Sequence, residues 1–228
     1  MKVSVIVTTH NTERYLLKCM DSIFNQTLSD IEIIIADDAS TDSTPQIATE
    51  LAKTHENVLF LPLSTSLGPG GARNKALQQA SGEYISFIDS DDWMDLNYLE
   101  VMYNKAQQLN ADIVTCSLMR EYDYITTSPV YKCKYDQDYV LSGEIAFRIM
   151  TNEYNYGIKF LPSALNKIYR KTFLTDNLLT FPEHIFLKIN LFHIVARWLQ
   201  IEWFVSLKLC ITTINVRDPL YSHLIKRI

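Results

Sequence analysis

The chain has 228 residues, of which 47% are hydrophobic and 21% are charged. A chain of this length and composition can bury one sizeable core, and it lacks the composition of a disordered protein. The formal net charge of -5 argues against nucleic acid as the main partner, because a nucleic-acid-binding face concentrates Lys and Arg. A small phosphorylated ligand needs only one or two cations or a metal ion, so this charge does not exclude it.

The four cysteines form no CxxC pair, and no histidine lies at metal-ligand spacing from them. We expect buried thiols in a reducing cytoplasm. The first residues lack the long apolar region of a secretory signal. The apolar stretch at 189–216 contains Arg197, Glu202 and Lys208, which would put charge in the bilayer centre, so we predict no transmembrane helix there. Peripheral contact with the inner face of a membrane stays open.

Short apolar runs alternate with helical patterns through the first half of the chain. The predicted strands are residues 3–8, 31–36, 58–61, 84–88 and 113–117. The predicted helices are residues 15–24, 44–53, 72–80, 97–109 and 141–150, with Ser43 as the cap of the second. This alternation predicts a mostly parallel α/β sheet, which binds ligands at the carboxyl ends of its strands. Five tyrosines within residues 120–139 predict antiparallel or irregular structure flanking the sheet.

Three carboxylates, those of Asp89, Asp91 and Asp92, directly follow the predicted strand 84–88. Like charges this close repel one another and favour a bound cation. Hard divalent metals take oxygen ligands, and Mg²⁺ commonly shares one or two carboxylates with substrate phosphates. A solvated acidic turn that caps the next helix is the alternative. The apolar strand before the aspartates favours a site, because it places them at the ligand-binding edge of the sheet.

A second carboxylate pair, Asp37 and Asp38, follows the predicted strand 31–36. An ionised carboxylate only accepts hydrogen bonds, so one of the pair can bind a nucleotide base or ribose. Taken alone, the pair is more typical of a turn in which Asp42 or Ser43 caps the next helix.

The third element is a glycine-rich loop at residues 68–71, which leads into a predicted helix that begins at Ala72. Its backbone N–H groups and the cation of Arg73 are suited to a diphosphate. The loop matches neither the Walker pattern nor GxGxxG, so kinase and dinucleotide-binding functions lack their motif. A nucleotidyltransferase would need a glycine-rich loop with a lysine near the first strand, and the sequence has none there.

Together these motifs resemble those of the family 2 glycosyltransferases, which have the GT-A fold. The matching segments within residues 1–117 are 5–11, 21–27, 34–42, 70–74 and 82–93. In this chain Thr8 and His10 stand where the family has proline and tyrosine, and Ala39 replaces a glycine. These departures concern the base pocket and leave the metal site intact.

The resemblance implies a GT-A-type α/β fold with a mostly parallel central sheet flanked by helices and a smaller, irregular C-terminal part. It implies one domain over residues 1–228, in which residues 1–117 bind the nucleotide sugar and residues 118–228 face the acceptor. The family is inverting: a carboxylate base removes the acceptor proton while a metal ion neutralises the departing nucleotide diphosphate. The implied role is cell-envelope polysaccharide or glycan synthesis in the cytoplasm.

The resemblance also assigns residues to each part of the site. The nucleotide-sugar contacts are Thr8, Asn11, Asp38, Arg73, Asn74 and Asp89. Within this set, Asp38 and Thr8 are expected at the base, and Arg73 and Asn74 near the ribose or diphosphate. Asp89 and Asp91 form the metal-binding DxD motif for Mg²⁺ or Mn²⁺. A UDP-sugar is the expected donor, and a saccharide or lipid-linked saccharide is the expected acceptor.

The resemblance continues through residues 166–174 and residues 181–183 and then stops. A few residues later the family has Phe-Glu-Asp, whose carboxylate is the usual base, and this chain has Leu187, Lys188 and Ile189. No acidic residue occurs within residues 184–200. The catalytic base is therefore not identified from the sequence. A degenerate relative that binds nucleotide sugar without turnover is the alternative function.

A frameshift in the coding DNA would explain this break. If residues 185–190 are encoded ATT TTT TTG AAG ATC AAT, a frame that starts two bases later gives Phe-Phe-Glu-Asp-Gln. The same shift over residues 210–214, written TGC ATT ACT ACT ATT, gives His-Tyr-Tyr-Tyr, similar to the family's later LYYYR segment. We therefore predict that residues 184–214, within a few positions, are translated out of frame.

Overall fold

A computed structural model describes residues 1–122, 126–129, 138–150, 163–183, 202–205 and 212–215. The strands are β1 Val3–Thr9, β2 Ile31–Asp37, β3 Val58–Pro62, β4 Tyr84–Asp89, β5 Trp93–Met94, β6 Ile113–Thr115, β7 Leu118–Tyr122, β8 Thr126–Pro129, β9 Tyr139–Ser142, β10 Lys167–Arg170, β11 Glu202–Val205 and β12 Thr212–Asn215. The helices are α1 Leu16–Phe24, α2 Thr44–Thr54, α3 Gly68–Gln79, α4 Tyr98–Leu109, α5 Gly143–Met150 and α6 Lys171–Asp176.

Eight strands form the central sheet in the order β3-β2-β1-β4-β10-β6-β11-β9. β1 lies parallel to β2 and β4, and β2 lies parallel to β3. β10, from the second half of the chain, is antiparallel to its neighbours β4 and β6. The predicted α/β fold with a mostly parallel sheet flanked by helices is confirmed.

Helices cover both faces of this sheet, so β1 is buried along its whole length. Val3, Val5 and Val7 belong to the core on the side of α1, α2 and α4. Ile6, between them in sequence, belongs to the core on the side of α3, α5 and α6. Successive side chains of a strand point to opposite faces, and a strand covered on both sides is therefore apolar at nearly every position.

The helix α3 begins at Gly68, four residues before the predicted start at Ala72. Residues predicted as a loop therefore form its first turn. The carboxylate of Asp38 accepts hydrogen bonds from the N–H groups of Leu67 and Gly68, which satisfies donors that a helix start leaves open. Pro69 is compatible with this first turn, because proline lacks only an N–H that would have no partner within the helix.

Two further local predictions are confirmed only in part. Ser43 holds the N-cap position of α2 but makes no side-chain cap hydrogen bond. Asp42, the alternative cap, accepts a hydrogen bond at Oδ1 from the Thr44 N–H at 2.9 Å. The predicted helix 141–150 begins only at Gly143, because the two residues before it pair with β11 as part of β9.

A second sheet has the strand order β5-β12-β7-β8, with β7 antiparallel to β8. This pair agrees with the antiparallel structure predicted for residues 120–139. Among the described residues, none of the helices combines the length and hydropathy needed to cross a membrane. The predicted out-of-frame segment lies outside the described residues except for β11 and most of β12.

Candidate active site

The carboxyl ends of β1, β2 and β4 meet at one edge of the central sheet. Their register places Thr8 opposite Asp89 and Thr9 opposite Asp37. Thr8 Oγ1 donates a hydrogen bond to Asp89 Oδ1 at 3.1 Å, and Thr9 Oγ1 donates one to Asp37 Oδ1 at 2.8 Å. Both aspartate motifs therefore lie beside the end of the same central strand.

Asp89, Asp91 and Asp92 converge directly beyond β4. One carboxylate oxygen from each of the three residues lies within 4.8 Å of the other two. The Asp92 N–H donates a hydrogen bond to the Asp89 carbonyl oxygen at 3.0 Å, which closes a tight turn. Asp92 is only 1% exposed, whereas a solvated acidic turn would expose its carboxylates. The close spacing and the burial both fit a group of oxygen ligands for one hard divalent cation.

Arg73, on the first turns of α3, forms an ion pair with this cluster. Its Nη2 donates a hydrogen bond to Asp89 Oδ1 at 2.6 Å, and the two side chains are 11% and 18% exposed. The guanidinium carbon lies 5.4 Å from the centroid of the Phe181 ring. A charge-assisted hydrogen bond in such a partly desolvated position holds the Asp89 carboxylate in one orientation.

Cys19 of α1 is a neighbour of the acidic cluster that the sequence pattern did not single out. Its Sγ lies 3.7 Å from the Asp89 carbonyl oxygen. Burial raises the pKa of the Cys19 thiol well above its ordinary value, and the carboxylates of Asp92, Asp91 and Asp89 raise it further. The thiol is therefore protonated at neutral pH. Helical spacing could predict only that Cys19 is buried.

Asp38 joins the end of β2 to the start of α3 and is 4% exposed. Its carboxylate accepts hydrogen bonds from the Ser66 hydroxyl at 2.7 Å and from the N–H groups of Leu67 and Gly68 at 2.7 and 3.0 Å. An ionised carboxylate has about four acceptor positions. The predicted contact with the nucleotide base would therefore be made in addition to these three.

The loops after β1 and β2 are tied together by Asn11 and His10. Asn11 has a φ of 54°, in the left-handed region that asparagine adopts more readily than most residues. Its Oδ1 accepts a hydrogen bond from the Thr41 N–H at 2.8 Å, and its own N–H donates to Ser40 Oγ at 2.9 Å. His10 Nδ1 lies 2.7 Å from the Asp38 carbonyl oxygen. These bonds hold the loop after β1 against the loop after β2.

Asn74 binds the main chain of Phe181, 107 residues further along the sequence. Asn74 Nδ2 donates a hydrogen bond to the Phe181 carbonyl oxygen at 2.9 Å, and the Phe181 N–H donates one to Asn74 Oδ1 at 2.8 Å. The structure thus brings Thr8, Arg73, Asp89 and Asp91 to one place, whereas Asn74 faces a backbone segment. Its contact with ribose or diphosphate stays a prediction.

The family model of glycosyl transferase family 2 matches residues 4–178 of the chain. The chain belongs to glycosyl transferase family 2. It is 34% identical over 186 residues to the putative glycosyltransferase EpsH of Bacillus subtilis, covering 79% of this chain and 50% of EpsH. It is 32% identical over 194 residues to the poly(ribitol-phosphate) beta-glucosyltransferase of Bacillus spizizenii, covering 81% and 27%.

Solved structures of the family have the same architecture. S. aureus TarS 1–349 in complex with UDP-GlcNAc superposes with a TM-score of 0.72 at 28% identity, covering 92% of this chain and 59% of that one. This likeness confirms the GT-A-type fold. The chain spans about half the length of EpsH and a smaller share of the ribitol-phosphate enzyme.

Proposed function

We propose that this chain transfers a sugar from a nucleoside diphosphate sugar to an acceptor hydroxyl group. The observation that carries the proposal is the cluster of Asp89, Asp91 and Asp92, paired with Arg73 at the carboxyl edge of the sheet. A departing nucleoside diphosphate builds up negative charge, which a cation-binding cluster beside an arginine can stabilise. Family membership supports the reaction class, which the fold alone would not.

The proposed cofactor is Mg²⁺ or Mn²⁺, held by Asp89 and Asp91. Three carboxylates offer only oxygen ligands, and the ion pair with Arg73 involves only one of them, Asp89, so the residues fit a hard divalent ion. When bound, such an ion neutralises charge on the diphosphate as it leaves. Thr8 and Arg73 would keep Asp89 oriented, because both donate hydrogen bonds to its Oδ1.

A UDP-sugar is the proposed donor, since TarS 1–349 was solved both with UDP-GlcNAc and with UDP. The proposed contacts on the base side are Thr8 and Asp38, and Asn11 is a further proposed contact with the nucleotide sugar. Arg73 and Asn74 are proposed near the ribose or diphosphate.

The proposed acceptor is a saccharide or lipid-linked saccharide of the cell envelope. Relatives support this class, because they include the poly(ribitol-phosphate) beta-glucosyltransferase and the GalNAc(5)-diNAcBac-PP-undecaprenol beta-1,3-glucosyltransferase of Campylobacter jejuni. An acceptor of this kind would place the reaction in the cytoplasm, at the inner face of the membrane, with peripheral membrane contact.

We further propose a single inverting displacement within one catalytic domain. Residues 1–117 would hold the donor, because every proposed donor contact lies there, and residues 118–228 would face the acceptor. The nearness of Phe181 to Arg73 supports this division, because it brings the second half of the chain to the edge of the acidic cluster.

The test is to incubate the chain with a panel of UDP- and GDP-sugars, Mg²⁺ or Mn²⁺, and candidate acceptors. We expect metal-dependent release of nucleoside diphosphate and, by NMR, a product whose anomeric configuration is inverted. Binding of nucleotide sugars without turnover would instead identify a degenerate relative. Activity that depends on pyrophosphate would identify a nucleotidyltransferase.

A further inference from the structure

The helix α3 runs from the candidate active site toward the opposite edge of the central sheet. Its start is held by Asp38, whose carboxylate accepts a hydrogen bond from the Gly68 N–H at 3.0 Å. The helix α6 begins at the opposite, amino edge, where the Lys171 N–H donates to the Glu83 carbonyl oxygen at 2.8 Å. The chain therefore enters α6 at the edge of the sheet opposite the acidic cluster.

Two contacts show that this segment then runs back along α3. The backbone of Phe181 is hydrogen bonded in both directions to Asn74. The Pro182 carbonyl oxygen lies against Gly70, so closely that a Cβ atom at Gly70 would collide with it. Gly70 precedes Asn74 by one helical turn, about 6 Å closer to the start of α3. From Phe181 to Pro182 the chain therefore advances toward the active-site edge, and the next residue is the exposed Glu183.

The ring of Phe181 anchors this segment beside the acidic cluster. Its centroid lies 5.1 Å from that of Phe87 and 5.4 Å from the guanidinium carbon of Arg73. Phe87 precedes Asp89 by two residues in β4, and Arg73 is the ion-pair partner of Asp89. Two Cα–Cα steps span at most about 8 Å, so the Glu183 Cα lies within that distance of the Phe181 Cα.

Among the carboxylates of residues 118–228 whose side chains the structure describes, the others lie elsewhere. Asp138 forms an ion pair with Lys105 at 3.4 Å, and Glu144 forms one with Arg148 at 2.7 Å. Asp176 ends α6, before the segment begins to follow α3. Glu183 is the carboxylate that comes directly after Pro182, where the segment contacts the start of α3 at the active-site edge.

We propose that Glu183 is the general base of this chain, an inference that rests on the proposed transfer reaction. The acceptor oxygen forms a bond to the anomeric carbon while its proton passes to the Glu183 carboxylate. The bond from the anomeric carbon to the diphosphate oxygen breaks, and its electron pair leaves with the nucleoside diphosphate. Because the side chain of Glu183 is exposed, it then returns the proton to water.

The direct test is Glu183→Gln, which keeps the size of the side chain and removes its ability to accept the proton. We expect kcat for transfer to fall by about 10²–10⁴-fold, with the Kd for the UDP-sugar unchanged within about twofold. The acidic limb of the wild-type pH–rate profile should disappear. Asp176→Asn is the matched control, because it removes an exposed carboxylate that lies before the contacts with α3, and it should keep the wild-type rate and profile.

The outcomes separate this inference from the proposed function. A wild-type chain that binds no nucleotide sugar and transfers nothing would contradict the proposed function itself. A wild-type chain that is active while Glu183→Gln keeps its rate within about threefold would overturn only the assignment of Glu183. Glu183→Asp guards against a merely structural effect. It should retain the acidic limb at a reduced kcat, and a kcat as low as that of Glu183→Gln would contradict the proposal.

Discussion

Arg73 and Asp89 form a mostly buried ion pair, with 2.6 Å between Nη2 and Oδ1. The pair joins the first turns of α3 to the end of β4, and it sets one positive charge beside three clustered carboxylates. Arg73 therefore acts as an internal counter-ion for the cluster. Removing it should leave the aspartates to repel one another until a divalent ion is added.

Arg73→Met tests this counter-ion role. We expect the free energy of unfolding in EDTA to fall by about 1.5–3 kcal/mol, the usual cost of losing a hydrogen bond to a charged group. The gain in Tm on adding Mn²⁺ should exceed that of the wild type, because the ion would then relieve unbalanced repulsion. Lys75→Met, at an exposed position of the same helix, is the control. Equal gains in all three proteins would contradict the role.

Asp91→Asn tests the metal assignment. The substitution removes one carboxylate from a group in which one oxygen from each residue lies within 4.8 Å of the other two, so we expect metal-dependent nucleotide binding to be abolished. Titration with UDP at fixed Mn²⁺, followed by calorimetry, measures the effect. Asp21→Asn, on an exposed position of α1, should bind like the wild type. Unchanged affinity in Asp91→Asn would refute Asp91 as a ligand.

Gly70→Ala should separate stability from donor binding. The added Cβ would collide with the Pro182 carbonyl oxygen, and overpacking of this kind costs about 1–3 kcal/mol. We expect the segment that carries Glu183 to be displaced, so that the transfer rate falls more than UDP affinity. Urea unfolding measures the loss of stability, initial rates measure transfer, and calorimetric titration measures UDP affinity. Gln78→Ala, exposed on the same helix, should change neither, and wild-type rates in Gly70→Ala would contradict this view.

Lys167 gives stability a specific pH dependence. Burial lowers the pKa of Lys167 to about 7, from an ordinary value of 10.5. Between these values the unfolded chain binds the proton that the folded chain has lost, so the free energy of unfolding should rise with pH. We expect a slope of about 1.4 kcal/mol per pH unit from this group between about pH 7.5 and 9.5.

Urea unfolding at several pH values measures this slope. Lys167→Met should lack the contribution because it has no titrating group at this position. The exposed Lys53→Met control should keep the wild-type slope. If Lys167→Met and the wild type share one slope, the lysine is not neutral in the folded protein.

The frameshift hypothesis is tested by resequencing the source DNA across codons 180–218. An inserted or deleted base that restores Phe-Glu-Asp at residues 187–189 would show that the natural protein carries the usual family base. DNA that matches the chain as written would refute the hypothesis and leave this chain without that motif.

The convergence of Thr8, Asp37 and Asp89 could be predicted because it depends only on parallel strands. Apolar runs followed by polar residues mark the carboxyl ends of strands, and neighbouring parallel strands bring those ends to one edge. Because successive side chains of a strand point to opposite faces, the sequence also predicts which residues of β1 share a face of the sheet. These features follow from patterns within a few consecutive residues.

The contacts between distant segments could not be predicted in the same way. The position of Asn74 in the family motif predicts a contact with the nucleotide sugar. In the structure, however, the Asn74 amide binds the Phe181 backbone. The early start of α3 depends on Asp38, thirty positions before Gly68. Helical spacing predicts only that Cys19 is a core residue. The packing of α1 against the turn after β4 brings its thiol to the Asp89 carbonyl oxygen.

The bonds between Asn74 and Phe181 also bear on how the protein is made. The ribosome adds Asn74 to the chain 107 residues before Phe181. At roughly 5–20 residues per second, the face of α3 that contains Gly70 and Asn74 waits about 5–20 s for its partner. During that interval the nascent chain leaves the small and amide side chains on this face of α3 exposed. Synonymous codons that slow translation before Phe181 would lengthen this interval.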